Sequence, residues 1–289
     1  MNLVETIPVR STLGEGVLWD TETQTLWWTD IEECRLYRYD LSGRRLCHHT
    51  MPERLCSFGF TSRSGCFIAA FESGFALYEP EADAIRWLVK PEAECQGMRL
   101  NDGRVDRHGR FWAGSMAETE ALAGQACLYC VDTSLRLSCR ERGISISNSI
   151  CWSPDSTVFY FADTPRRIIW RYDFDASSGA ISNRRVFAET PSGALPDGAV
   201  ADADGCIWSA QWGAGRIVRY SPDGRIVQMQ DVPVRLPTCV AFGGPALDLL
   251  FVTSARSGLE KNATGDDDGN VLVYEAGTKG LPEARFELT

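Results

Sequence analysis

Apolar residues fall in short bursts along this chain rather than at helical spacing. Leu26-Trp27-Trp28, Phe111-Trp112-Ala113, Phe159-Tyr160-Phe161 and Ile207-Trp208 each follow a turn-forming segment: Asp20-Thr21-Glu22-Thr23, Asp106-Arg107-His108-Gly109, Ser153-Pro154-Asp155-Ser156 and Asp202-Ala203-Asp204-Gly205. Bursts of that length between Gly, Pro, Asp and Ser predict β-strands joined by tight turns. Ahead of each turn lies another apolar run, and each run opens on a polar residue five positions before the turn: Glu15, Asn101, Asn148 and Asp197. Ser57, before Ser62 and Gly65, and Thr238, before Gly243-Gly244, keep the same register in weaker form.

The six positions 15, 57, 101, 148, 197 and 238 are separated by 42, 44, 47, 49 and 41 residues. A third, alternating strand recurs in every repeat, as in Cys34–Asp40, Cys127–Asp132 and Ile168–Asp173, and a fourth follows, as in Arg184–Phe187. A period of about 40–50 residues made of four short strands predicts an all-β, six-bladed β-propeller with four-stranded antiparallel blades. The first ten residues read as one extended strand whose edge needs a partner. That partner is expected in the last repeat, at Asn270–Tyr274 and Ala284–Leu288, so that N- and C-terminal strands close the ring in one blade. Two connections exceed what a hairpin needs, Glu118–Gln125 and Ser257–Gly269, and long loops in compact domains are often functional.

Composition narrows the picture. Six repeats consume all 289 residues without a linker or low-complexity tract, so one domain over residues 1–289 is expected. A net charge of −10 argues against a nucleic-acid partner, which needs Lys and Arg to neutralise phosphate. No run of about 18 apolar residues suggests a membrane span, and Met1–Ile7 lacks the features of a secretion signal, so a cytoplasmic protein is expected. The 11 cysteines are scattered through apolar runs, as reduced core thiols are. Cys127 and Cys130, three apart in a strand, point to opposite faces and make a poor zinc or redox pair.

In a propeller the first strand of each blade lines the central channel, so the registered positions converge on one rim. A ring of Glu15, Ser57, Asn101, Asn148, Asp197 and Thr238 carries two carboxylates and two carboxamides. Like charges brought together are costly unless a cation lies between them. Oxygen donors of this kind suit Ca²⁺, Mg²⁺ or Mn²⁺, and Zn²⁺ also accepts carboxylates. The alternative is local: Asn and Asp open strands because they form turns and bond nearby backbone. Arg99, two residues before Asn101, could hold a hydroxyl or carboxylate from the rim, or form a surface ion pair. His48, His49 and His108 fall in turn or outer-strand contexts, and no Gly-x-Ser-x-Gly elbow is present, so neither a His-based triad nor a serine nucleophile is expected.

The segments Leu13–Trp19, Arg99–Gly103, Ala113–Met116, Ile146–Ser149, Pro196–Gly198 and Cys239–Gly244 together resemble the gluconolactonase / senescence marker protein (regucalcin) family, over about residues 10 to 258. The resemblance implies a six-bladed propeller that holds one divalent metal in its channel and hydrolyses sugar lactones. Residue by residue, Glu15, Asn148 and Asp197 match the family's metal ligands, and Asp197 also its general base. Arg99 and Asn101 match substrate-binding residues. The position of the family's substrate-binding Glu is occupied by Thr119, flanked by Glu118 and Glu120, which makes Glu118 and Thr119 the candidates for that contact. The expected activity is metal-dependent hydrolysis of an aldonolactone, a small-molecule sugar lactone, to the aldonic acid. Hydrolysis of other esters or lactones on the same architecture, and a non-enzymatic propeller scaffold, are the alternatives.

Overall fold

The computed structural model describes residues 1–259 and 265–288, so part of the expected 257–269 loop lies outside the described residues. Strand β1 (Asn2–Ile7) precedes blade one, which is β2 (Gly14–Asp20), β3 (Thr25–Asp30), β4 (Arg35–Asp40) and β5 (Arg45–Thr50). Blade two is β6 (Leu55–Phe60), β7 (Phe67–Phe71), β8 (Gly74–Glu79) and β9 (Ala84–Val89). Blade three is β10 (Met98–Val105), β11 (Phe111–Ala117), β12 (Ala126–Val131) and β13 (Leu137–Ile144). Blade four is β14 (Ser147–Trp152), β15 (Val158–Asp163), β16 (Ile168–Asp175) and β17 (Ala180–Glu189). Blade five is β18 (Leu195–Ala201), β19 (Ile207–Trp212), β20 (Arg216–Tyr220) and β21 (Ile226–Asp231). Blade six is β22 (Pro237–Gly243), β23 (Leu249–Ser254), β24 (Val271–Glu275) and, outermost, β1.

The first strands pack in a closed circuit, β2 on β6, β6 on β10, β10 on β14, β14 on β18, β18 on β22 and β22 on β2. This makes a six-bladed propeller whose channel is lined by the strands that carry the registered polar residues. Two of the turns that open five residues on, in blades three and five, have a common cause. Asp106 Oδ1 accepts from the backbone N–H of His108 and Arg110 while Oδ2 accepts from Trp112 Nε1 at 2.9 Å. Asp202 repeats the arrangement with Asp204, Cys206 and Trp208 Nε1, again at 2.9 Å. One carboxylate thus closes the turn and pins the aromatic of the next strand. The core lies between blades, with Trp19, Trp28, Trp112 and Trp208 among its largest fully buried side chains. Cys127 packs with Phe75 and Tyr129, whereas Cys130 packs with Trp112 and Phe159 on the opposite face, as strand alternation requires.

Ring closure falls to β1 and β24, with Leu3 opposite Tyr274 and Ile7 opposite Val271. Ala284–Leu288 does not join that blade. With four strands already in place, the tail instead crosses beneath the ring to blade two. There Phe286 N donates to Phe60 O (2.8 Å), Ser62 N donates to Phe286 O (2.9 Å), and the Phe286 ring is fully buried. Burial of that ring, about 1.5–3 kcal/mol, outweighs what a fifth, exposed edge strand would gain. Among the described residues, no helix is long and apolar enough to cross a membrane.

Candidate active site

Every innermost strand is irregular at the registered position. Pairing with the second strand breaks between Glu15 and Leu18, Leu55 and Ser57, Leu100 and Gly103, Asn148 and Cys151, Pro196 and Ala199, and Pro237 and Val240. Bulges kink a strand and re-aim its side chains, and here they turn residues at six equivalent places toward one axis. Gly16 and Ser149, each just after a registered residue, take φ of 59° and 60°. Ser149 is held in that left-handed conformation by its Oγ, which donates to the backbone oxygen of Asp197 and ties blade four to blade five.

Four of the six polar residues meet through a connected set of bonds and charges. Arg99 Nη1 donates to Asn101 Oδ1 (2.7 Å) and Leu100 O (2.9 Å). Asn101 Nδ2 donates to Ser147 O (2.9 Å) and Asn148 Oδ1 (3.3 Å). Thr164 Oγ1 donates to Pro196 O (2.9 Å), so it must accept from Asn148 Nδ2 (2.9 Å), which leaves Asn148 Oδ1 on the channel side. Asp163 Oδ1 accepts from Ser145 N and Ile146 N, while Asp30 accepts from Thr12 N through Oδ2 and from Leu13 N through Oδ1. These two carboxylates fix the segments that deliver Asn148 and Glu15. The other two registered residues do structural duty: Thr238 Oγ1 donates to Gly14 O across the blade-six/blade-one junction, and Ser57 is fully buried beside Gly103.

Buried Asp197 and half-buried Glu15 are accompanied by a third, half-buried carboxylate, Asp102, which the repeat register does not single out although it directly follows Asn101. Burial, then the Asp102 charge, pushes the Glu15 carboxyl up to about 8, opposed by the Gly16 N–H and by Arg99. Burial, then Glu15 and Asp102, holds Asp197 well above the usual carboxylate range. Asp102 is raised by burial and tempered first by the Ile150 N–H, which donates to its Oδ2 at 2.9 Å, and then by Arg104. The two arginines that face this group are engaged elsewhere, Arg99 as above and Arg104 with Ala199 O (2.9 Å) and Glu283 (3.4 Å). Three carboxylates drawn together and partly out of water, without a full complement of cations, are what a divalent ion would neutralise. Among the described residues, no three Asp, Glu, His or Cys side chains group as metal ligands by themselves. The Asn148 amide, oriented by Thr164, adds a neutral oxygen that accepts from Asn101 Nδ2 on the channel side.

At the mouth, Glu118 accepts from Arg54 through both oxygens, at 2.7 and 3.2 Å, and its Oε1 lies 3.6 Å from Arg99 Nε. Arg54 Nε also donates to Glu72, and Glu32 lies 3.6 Å from Arg54 Nη1. Thr119 is exposed, and its carbonyl accepts from Leu122 N at the start of a one-turn 3-10 helix, Glu120–Leu122, within the long connection. Nothing short-range in the sequence joins residue 54 to 118; only the blade period could have brought Arg54 into view. His48 and His108 are exposed, and His49 stacks on Trp27, so no histidine enters the site.

The SMP-30/Gluconolactonase/LRE-like region profile matches residues 13–256, and the chain belongs to that family. It is 38% identical to a 6-deoxy-6-sulfogluconolactonase of Pseudomonas putida, over 96% of this chain and 95% of that protein. It is also 38% identical to an L-arabinolactonase of Azospirillum brasilense, over 96% and 93%. Among solved structures it resembles a calcium-binding protein, regucalcin, from Agrobacterium tumefaciens str. C58, with a TM-score of 0.93, 32% identity and coverage of 99% and 98%.

Proposed function

We propose that this member of the SMP-30/gluconolactonase family is a lactonase that hydrolyses a sugar lactone to the open-chain aldonic acid, with a divalent cation held by Glu15, Asn148 Oδ1 and Asp197. Relatives named for lactone hydrolysis, at 38% identity over nearly the whole chain, support the reaction class. The observation that supports the site assignment is the convergence of buried Asp197 with half-buried Glu15 and Asp102 around an oriented amide oxygen, with Arg104 and the Nη1 of Arg99 bonded elsewhere.

Water adds to the ring carbonyl carbon, the bond from that carbon to the ring oxygen breaks, and the ring oxygen leaves with a proton as a hydroxyl. A bound Ca²⁺, Mg²⁺, Mn²⁺ or Zn²⁺ would supply Lewis acidity toward the carbonyl and lower the pKa of water. Asp197 takes the proton from the attacking water and returns it to the departing oxygen. Asn101 and Arg99 hold substrate oxygens, their orientation set by the bonds through Ser147 and Leu100. Glu118 and Thr119 stand at the entrance, where the substrate's hydroxyl-bearing tail would lie.

The test is a panel of sugar lactones and aryl esters followed by a pH indicator, with metal-depleted protein re-supplied with each cation. Lactones should turn over faster than aryl esters, and depletion should remove the activity. Asp197→Ala should abolish turnover in a protein that keeps its circular dichroism spectrum. Turnover retained by Asp197→Ala, or by metal-free protein, would refute the assignment.

A further inference from the structure

Arg99 Nε, at the mouth, is a buried polar atom that the protein does not satisfy. Arg99 is 5% exposed; its Nη1 serves Asn101 and Leu100, but its Nε has no hydrogen-bond partner. A buried donor left unpaired costs about 1–3 kcal/mol, and this one faces Glu118 Oε1 at 3.6 Å, too far for a bond. The 3.6 Å gap admits no atom between them and Nε has no exposed surface, so a substrate tail arriving here meets the Glu118 carboxylate itself, which only accepts. A hydroxyl can donate to it; a sulfonate or carboxylate oxygen can only accept.

Charge in the same place points the same way. Arg54, the other cation here, spends Nε on Glu72 and both terminal nitrogens on Glu118, with Glu32 3.6 Å away. Three carboxylates thus surround one guanidinium. An incoming anion meets no free donor on Arg54 and an uncompensated negative rim, with the channel carboxylates Glu15, Asp102 and Asp197 below.

Resting on the lactonase reading above, we propose that the Arg54–Glu118 pair determines specificity by charge. It fixes a carboxylate beside the unpaired Nε of Arg99, so that the site takes a lactone with a neutral, hydroxylated tail and rejects one with an anionic terminal group. Arg54 is a positioning residue that acts through Glu118. It sets both the direction of the Glu118 oxygens and, by its charge, their ionisation.

The experiment compares kcat/KM for a neutral aldonolactone and for the same ring bearing a terminal carboxylate or sulfonate. Wild-type protein should favour the neutral lactone by on the order of 100-fold, the scale of one or two misplaced charges at a solvent-screened mouth. Glu118→Gln keeps the shape and supplies an amide that donates; the preference should narrow by about tenfold, through KM more than kcat. Arg54→Gln should raise KM for the neutral lactone while the anionic lactone stays poor, because Glu118 remains. A purely structural role for either residue would lower both substrates alike and leave their ratio unmoved. Turnover of both lactones at similar efficiency, or a ratio unchanged in Glu118→Gln, overturns the charge-selection proposal and leaves the lactonase reading standing. Failure to open any lactone overturns the lactonase reading and, with it, this one.

Discussion

The carboxylate at the centre of the proposed chemistry sits where two blades almost touch, and that closeness can be perturbed by one methyl group. Gly198 follows Asp197 in β18 and faces β22. A Cβ there would lie 2.8 Å from Cys239 Cα, 2.8 Å from Cys239 Cβ and 2.6 Å from its Sγ, whereas ordinary contact begins at about 3.4 Å. Its φ lies outside the left-handed region, so alanine meets no backbone penalty and the effect is one of space alone. Gly198→Ala must therefore open the junction of blades five and six by at least about 0.6 Å beside Asp197. Overpacking of this kind costs about 1–3 kcal/mol, and at about 2–4 °C per kcal/mol for a large domain Tm should fall by about 2–12 °C. The catalytic loss should be larger in proportion, since misplacing a reacting group by about 1 Å can cost on the order of 100-fold in rate. We expect kcat/KM to drop by tens of fold and calorimetric cation affinity to weaken with it. Cys239→Ala in the same background should restore only part, because it removes Sγ and leaves Cα and Cβ. A Gly198→Ala protein with a lowered Tm but undiminished kcat/KM would refute the claim that blade spacing sets Asp197; no change in either would refute the packing itself.

Two further predictions probe the frame around the site. Glu92, which accepts from Ser115 Oγ (2.7 Å) and Tyr129 OH (2.8 Å), has its carboxyl raised above the usual 4.5 by burial despite those two bonds. The folded protein thus holds this proton more tightly than the unfolded chain, so the contribution favours folding below about pH 4.5 and is lost as pH rises through the folded value. Tm of Glu92→Gln should gain on wild type as pH is raised from about 4 to 8, and a difference that stays constant would contradict this. At the far end of the channel, Glu283→Ala leaves Arg104 buried without its 3.4 Å partner, though Ala199 O and Asp102 remain nearby. The loss should be about 3 kcal/mol, the lower end for a broken buried pair, and an unaltered melting curve would show that the tail does not anchor the channel.

Much of this architecture is legible in one dimension because a propeller repeats its physics. Asp106 and Asp202 close the same turn and cap the same tryptophan, so a five-residue offset between a polar residue and a turn carries three-dimensional meaning. The same register brings Glu15, Asn101, Asn148 and Asp197 to one axis. What it conceals is which registered residues face the channel as donors. Thr238 keeps the spacing yet bonds Gly14 O, because a short β-branched hydroxyl is satisfied at the blade junction. Asp102 escaped notice because strict strand alternation would turn it away from Asn101's face, and the bulge between Leu100 and Gly103 is what brings both inward. Ala284–Leu288 is expected as a closing strand, but Phe286 packs into the core of blades two and three and Glu283 pairs with Arg104, long-range contacts that no local pattern encodes.

The positions that local pattern does and does not reveal divide along a functional line. The groups that would hold the ion and handle the proton come from the innermost strands of blades one, four and five, and Arg99 and Asn101, which would hold the reacting end of the substrate, from that of blade three, each packed between its neighbours in the ring. The groups that would read the rest of the substrate come from the start of blade two and the connections above: Arg54 just before β6, Glu72 after β7, Glu118 after β11. Rigid strands suit a geometry that must hold to fractions of an ångström, and loops tolerate exchange of charge without disturbing the ring. It follows that substrate preference should be transferable by changing the residues at 32, 54, 72 and 118 while the axial set is left alone. Conversely, a change of axial residue should abolish turnover for every lactone alike, whatever the charge of its tail.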